Sequence, residues 1–214
     1  MLRVTLLSGE ELTYLPLTEL SDVKALKQRL HQQHGLPPRF RQRLLHEGNT
    51  LDDCIQLDTA MDLQVLIVAF SEVSEDQQQE LFSAAFDGRV AEVEALLQLP
   101  MHPDPHSGGT TPLIRACQNG HEHVAQLLLE AGAAKDFSDR SGRTALMRAA
   151  SSGREPVVQL LLDARAQKDF CDSSGNTALI LAAIHSHPSI YRLLREAGAD
   201  QHLRNKRGQT ARLV

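Results

Sequence analysis

Histidine is the residue type here with most scope for chemistry. The chain of 214 residues has ten of them, and the pairs His121/His123, His185/His187 and His102/His106 are close enough in sequence to chelate. A protein metal site needs several ligands converging on one ion. No cysteine or carboxylate completes a set, so no metal is expected. Cys54, Cys117 and Cys171 are isolated and odd in number. This is no disulfide framework, and it fits a reducing compartment, the cytoplasm or the nucleus. Cys117 suits a small core residue and Cys171 a loop thiol. There is no phosphate-binding glycine loop and no nucleophile elbow. Asp52 and Asp53 suit a turn better than general acid catalysis. No catalytic residue, cofactor or small-molecule substrate is expected, and the chain is not expected to be an enzyme.

Charge is the second resource. The net charge is -5, unevenly spread. Residues 71–109 hold eight acids and one base, whereas from Thr110 onward 14 Lys/Arg face 10 Asp/Glu. Arg204, Lys206 and Arg207 crowd the end of the chain, and a gradient of this kind can steer a partner. With no Trp and two Tyr, there is little to stack on bases, which argues against nucleic acid. The longest mostly apolar run, Val65 to Phe70, is far too short to cross a bilayer. The opening MLRVTLLSGEEL meets acid too soon for a secretory signal. Other proteins are the expected partners.

These residues must be held by something, and the holder is periodic. Thr111, Thr144, Thr177 and Thr210 stand 33 residues apart, as do Gly109, Gly142, Gly175 and Gly208. The segments TPLIRA, TALMRA and TALILA follow the first three threonines. GHEHVAQLLL, GREPVVQLLL and SHPSIYRLL come next, and DRSGRT, DSSGNT and NKRGQT separate the units. Each Thr can cap an apolar helix start. Leu113, Leu146 and Leu179 then point into a stack, and Ala116, Ala149 and Ala182 allow close helix approach. The Leu runs at 127–129 and 160–162 supply the buried face of the second helix. Asp or Asn with Gly three places later is a type I turn signature. HSGGT from His106 keeps the Gly but lacks the acid. A repeat of this period is a stack of units, none of which can bury its apolar face alone.

The pattern resembles the ankyrin family, whose units pair two antiparallel helices with a hairpin-like finger. A degenerate earlier unit, ELFSAAFDGRVAEVEALLQL from Glu80, lacks the opening Thr-Pro and has the polar start (Gln77, Gln78, Gln79, Glu80) that an N-terminal cap needs. Two departures stand out. Arg165 occupies the place of Gly132 and Gly198, so strain or a different helix end is expected there. TARLV opens a further unit without its second helix, which suggests a fragment unless Leu213 and Val214 are hidden.

The first seventy residues lie outside the period. A hairpin (MLRVTLL and LTYLPL), a helix capped by Ser21 or Asp22 and ending at Gly35, a strand at Arg43–His46, a turn at Glu47–Asn49 and a strand at Leu63–Val68 are expected. With GLPPRFRQRLLHEGNTLDD from Gly35, this resembles the ubiquitin-like β-grasp and ubiquitin's Gly-Ile-Pro-Pro segment. The stretch between Asp53 and Leu63 is shorter than in ubiquitin. The resemblance places ubiquitin's apolar recognition patch on Leu7, Leu45 and Leu66. The conjugating di-glycine tail is absent, which implies an integral docking module.

The expected fold class is therefore multi-domain, an α+β ubiquitin-like β-grasp followed by an all-α ankyrin-repeat solenoid. The ubiquitin-like domain takes 1–70, an acidic linker 71–77 and a degenerate cap repeat 78–109. Full repeats occupy 110–142, 143–175 and 176–208, and 209–214 begins an incomplete one. The ankyrin resemblance places the binding face on finger tips and the open side of first helices. Here that means Arg115, Lys135, Phe137, Arg140, Arg143, Arg148, Ser151, Phe170, Asp172, Asn176, His185, Leu203, Arg204 and Lys206. Arg115 and Arg148 would form a basic rail, and Phe137 and Phe170 would anchor a partner or pack between fingers. The expected function is a protein-interaction adaptor linking a held partner to ubiquitin-receptor or quality-control machinery. The alternative is the regulatory N-terminal part of a larger enzyme or signalling protein.

Overall fold

In the first unit, apolar residues at every second strand position and along one helix stripe demand a sheet covered by a helix on one side. The computed structural model describes residues 1–214 other than 17, 19, 71, 72, 106, 107 and 212–214. It divides into two compact units, one of residues 1–72 with 98–101, the other of 73–97 with 102–214.

Strands β1 (Leu2–Leu6), β2 (Glu11–Leu15), β3 (Gln42–His46), β4 (Asn49–Leu51) and β5 (Asp62–Ile67) form one mixed sheet in the order β2-β1-β5-β3-β4. β1 and β5 run parallel at its centre, and the other neighbours are antiparallel. Helix α1 (Val23–His34) begins where the Asp22 carboxylate accepts the Ala25 N–H, and ends at a left-handed Gly35. Its Val23, Leu26 and Leu30 pack with Leu2, Val4, Leu44, Leu63 and Val65. This five-stranded sheet with one helix across it is consistent with a β-grasp-like domain.

Asp53 does more than cap a turn. Its carboxylate accepts hydrogen bonds from Lys27 at 2.6 Å and Arg39 at 2.5 Å, and both cations are buried. Burial pushes the Asp53 carboxyl up, but Lys27 and Arg39 outweigh it and hold it below the usual carboxylate range. Burial likewise pulls the Lys27 ammonium below its ordinary value. The short stretch after β4 closes on α1, with the Ile55 carbonyl accepting the Val23 N–H at 3.0 Å.

The second unit is a double row of helices. First helices α2 (Glu75–Asp87), α4 (Pro112–Asn119), α6 (Ala145–Ser151) and α8 (Ala178–Ile184) pack in succession. Second helices α3 (Val90–Leu97), α5 (Glu122–Glu130), α7 (Glu155–Asp163) and α9 (Pro188–Glu196) pack behind them. The hydroxyls of Thr111, Thr144 and Thr177 accept the N–H of Ile114, Met147 and Ile180. Each cap contributes on the order of 1 kcal/mol. Leu113, Leu146, Leu179 and the alanines at 116, 149 and 182 are fully buried. The triple-Leu runs are only partly buried. Leu127, Leu128 and Leu161 are in the core, while Leu129, Leu160 and Leu162 are half-buried. Three consecutive residues sweep about 200° around a helix, so one face cannot take all of them. α2 starts at Glu75, inside the stretch expected to be linker, behind a capping box of Ser74 and Gln77.

Near the chain's end, Ala211 is buried and its carbonyl accepts the buried Tyr191 hydroxyl at 3.0 Å. Leu213 and Val214 lie outside the described residues. Arg165 has φ 58, where Gly132 and Gly198 have φ 89 and 83. Ser186, in step with Gly120 and Gly153, has the same φ of 58. Left-handed backbone costs a side-chain-bearing residue about 1 kcal/mol. Arg165→Gly and Ser186→Gly should each raise the unfolding free energy by about 0.5–1 kcal/mol in urea titration. A loss of stability in both would show that these turns carry no strain.

Candidate protein-binding face

The fingers are built by one acidic or amide side chain each. The Asp139 carbonyl accepts Gly142 N–H at 2.8 Å, while its carboxylate accepts the amides of Ser141 at 2.8 Å and Arg143 at 3.1 Å. Asp172 repeats this with Gly175, Ser174 and Asn176. Asn205 does so with Gly208, Arg207 and Gln209, so an amide oxygen replaces the carboxylate without loss of the turn. Neighbouring fingers are stitched together by Ser173 N–H to the Ser141 carbonyl (2.9 Å) and Lys206 N–H to the Ser174 carbonyl (3.0 Å). Side chains add Arg143 to Asp172 at 3.1 Å and Asn205 to Asn176 at 2.8 Å. Burial raises the Asp139 and Asp172 carboxyls. Their hydrogen bonds, from Arg148 and backbone amides at Asp139 and from Asn176, Ser174 and Arg143 at Asp172, outweigh burial and hold both below the ordinary value of 3.8.

Two further sets of bonds register each unit on the next. The carboxylates of Asp104, Asp136 and Asp169 accept the backbone N–H of Ala134, Gln167 and Asp200, at 2.8, 2.8 and 2.9 Å. Those three amides stand 33 residues apart, and even the Pro-rich first loop supplies its acid. At the start of the second helices, His121, Arg154 and His187 reach the carbonyls of Phe86, Gln118 and Ser151, at 2.9, 3.2 and 3.3 Å. Two of the histidines considered as chelators are thus tied to backbone. Among the described residues no group of three or more His, Cys, Asp or Glu side chains could hold a metal ion, and His106 lies outside them.

Apart from Arg115, the candidate contact residues fall into three groups. Arg143, Arg148, Asp172 and Asn176 are occupied internally. Arg148 grips Asp139 through two nitrogens, and Asp172 and Asn176 are buried in the finger ladder. Lys135, Phe137, Ser151 and Leu203 are half-buried, with the Ser151 hydroxyl donating to the Arg148 carbonyl. Arg140, Phe170, His185, Arg204 and Lys206 are exposed, and Phe170 leaves 45% of its surface open. Ile184, absent from the candidate set, is 49% exposed. With His185, Lys206 and Arg207 it lines a groove of about 330 Å³ between α8 and the last two fingers. Arg115 differs from Arg148. It lies 5.9 Å above the Phe82 ring, meets Gln118 at 3.5 Å, and has no carboxylate partner among the described residues.

On the sheet unit, Leu66 pairs with Arg43 and Leu45 with Gln64. The parallel register of β1 on β5 ends with Leu6 opposite Val65, so Leu7 follows on the side of Leu66. All three leucines therefore lie on the sheet face away from α1. Leu7 is 55% and Leu66 37% exposed, and Leu45 is half-buried.

A family model described as ankyrin repeats (3 copies) matches residues 56–139 and 131–205, a span that contains every helix from α2 to α9. The chain belongs to the ankyrin-repeat family. A human relative, ankyrin repeat domain-containing protein 39, is 42% identical over 62 residues, which are 28% of this chain and 34% of the relative. The chain therefore covers about a third of that relative's length. Ankyrin repeats suggest a protein-protein interaction role.

Acid should loosen the ankyrin fingers. Because folding lowers the pKa of Asp139 and Asp172, their contribution is complete above the ordinary value of 3.8 and is lost as pH falls through the lowered one. The double variant Asp139→Asn, Asp172→Asn keeps the turns, as Asn205 does. Thermal melts between about pH 5 and pH 2.5 should show a smaller loss for the variant than for the unmodified chain. An equal loss would contradict this role.

Proposed function

We propose that this ankyrin-repeat chain is a non-enzymatic adaptor that holds a protein partner along its inner helices and finger tips. The observation that carries this is the open apolar surface of Ile184 in one groove with exposed His185, Lys206 and Arg207, together with exposed Phe170. Exposed apolar surface rimmed by charge is what a protein partner buries. The same proposal takes residues 1–70 as a ubiquitin-like domain and Leu7, Leu45 and Leu66 as its docking patch for ubiquitin-receptor or quality-control proteins. The strand order, the single helix and the shared outer face of the three leucines support it. The inner-face residues Arg115, Lys135, Phe137, Arg140, His185 and Leu203 belong to the proposed contact surface. Arg143, Arg148, Ser151, Asp172 and Asn176 act in the proposal by holding its shape.

Affinity purification with mass spectrometry on the full chain tests both surfaces. Phe170→Glu with Ile184→Glu should remove one set of partners by at least tenfold. Leu7→Glu, Leu45→Gln and Leu66→Glu together should remove a different set, rich in ubiquitin-binding proteins. Partner sets unchanged in both variants would refute the adaptor function. Loss only in the first would refute the docking patch.

A further inference from the structure

A small pocket of about 110 Å³ lies between the first and second fingers, lined by Gly109, Thr110, Arg115, Asp139, Arg140 and Arg148 among others. Its chemistry is one-sided. Among the described residues Asp139 is the only carboxylate in the lining, and it is engaged by Arg148 and two backbone amides. Arg115 and Arg140 therefore contribute two positive charges without a carboxylate opposite them. The reason lies in the sequence: Asp139 stands nine residues before Arg148, and the position nine before Arg115 is His106.

Buried donors in the same lining lack partners among the described residues. Thr110 is 6% exposed, and among the described residues neither its hydroxyl nor the buried Arg115 Nε has a hydrogen-bond partner. Leaving such groups unpaired is costly in a folded protein. Arg140 lies closely over Gly109: a Cβ at Gly109 would stand 2.5 Å from Arg140 Cγ and 2.7 Å from its Nε. Only bare backbone lets this guanidinium stem lie across the first finger.

The volume equals roughly four water molecules, well below the 300–1,000 Å³ of a small-molecule site. It suits the end of one side chain. A phosphate monoester carries a charge of about -1.5 to -2 and three acceptor oxygens. That matches two guanidiniums with no carboxylate partner among the described residues and one hydroxyl donor, whereas a carboxylate would balance only one of the charges. We infer that this pocket receives a phosphorylated serine or threonine side chain of the protein segment held by the array. This rests on the docking function proposed above.

The test uses the full ¹⁵N-labelled chain and N-acetyl-O-phosphoserine N-methylamide as the probe. N-acetyl-glutamate N-methylamide and inorganic phosphate are the comparison arms. The phosphoserine probe should shift the Arg115 Nε–H and Thr110 amide signals, with a midpoint at least tenfold below that of the glutamate probe and below that of inorganic phosphate. Arg140→Gln, at an exposed position that leaves the fold intact, and Arg115→Gln should each raise the midpoint at least fivefold. Arg204→Gln should leave it unchanged. Glutamate or inorganic phosphate binding as tightly, or no saturable shift at these signals, would overturn the inference. Failure here while Phe170→Glu with Ile184→Glu still strips partners would leave the docking function standing. Phosphoserine binding with no partner loss in that variant would do the reverse.

Discussion

The array depends on one constraint: no helix pair here can shelter its own apolar residues. Leu113, Leu146 and Leu179 are fully buried because neighbouring first helices pack against one another, and alanines at 116, 149 and 182 let them come close. Each buried leucine contributes about 1.5–3 kcal/mol, but only while the neighbour stays in register. Register in turn is fixed by polar bonds that cross from unit to unit. The carboxylates of Asp104, Asp136 and Asp169 reach an amide of the next unit, and His121, Arg154 and His187 reach back to a carbonyl of the previous one. Apolar layers supply the stability, and these bonds choose one alignment among those the leucines would accept.

The open face follows from this division of labour. A finger must present side chains while its own backbone is satisfied, and Asp139, Asp172 and Asn205 satisfy it from within. Arg143 and Arg148 are taken up in that frame, which explains why an arginine repeated at the same step need not be free. Arg115 has the same place in its unit as Arg148, but nine positions before it the sequence has His106 rather than an acid, and among the described residues it has no carboxylate partner.

Much of the fold could be read from residue order because its signals are local. Thr111 before Pro112, Asp22 before Val23, Gly35 before Pro37 and the alternation of Leu63, Val65 and Leu66 act within a few residues. What escaped that reading joins distant positions. Asp136 is an ordinary loop acid until it meets Gln167 N–H 31 residues away. Lys27 and Arg39 carry charges that belong at a surface by type, yet Asp53 holds them in the interior. Of the candidate site, the exposed members His185, Lys206 and Phe170 were visible from their place in the repeat. Ile184 was not, because an isoleucine near the end of an apolar helix reads as core. The internal partners of Arg148 and Asn176 likewise emerge only when adjacent fingers come together.

Native-state hydrogen exchange on the full chain carrying Leu146→Ala tests most directly whether the units stand only together. Such a substitution destabilises by about 2–5 kcal/mol. Faster exchange should spread from α6 into α4 and α8, because their leucines lose the same shelter. Exchange that rises only in α6 and α7, with α4 and α8 as protected as before, would show that each unit is stable by itself and would contradict this account.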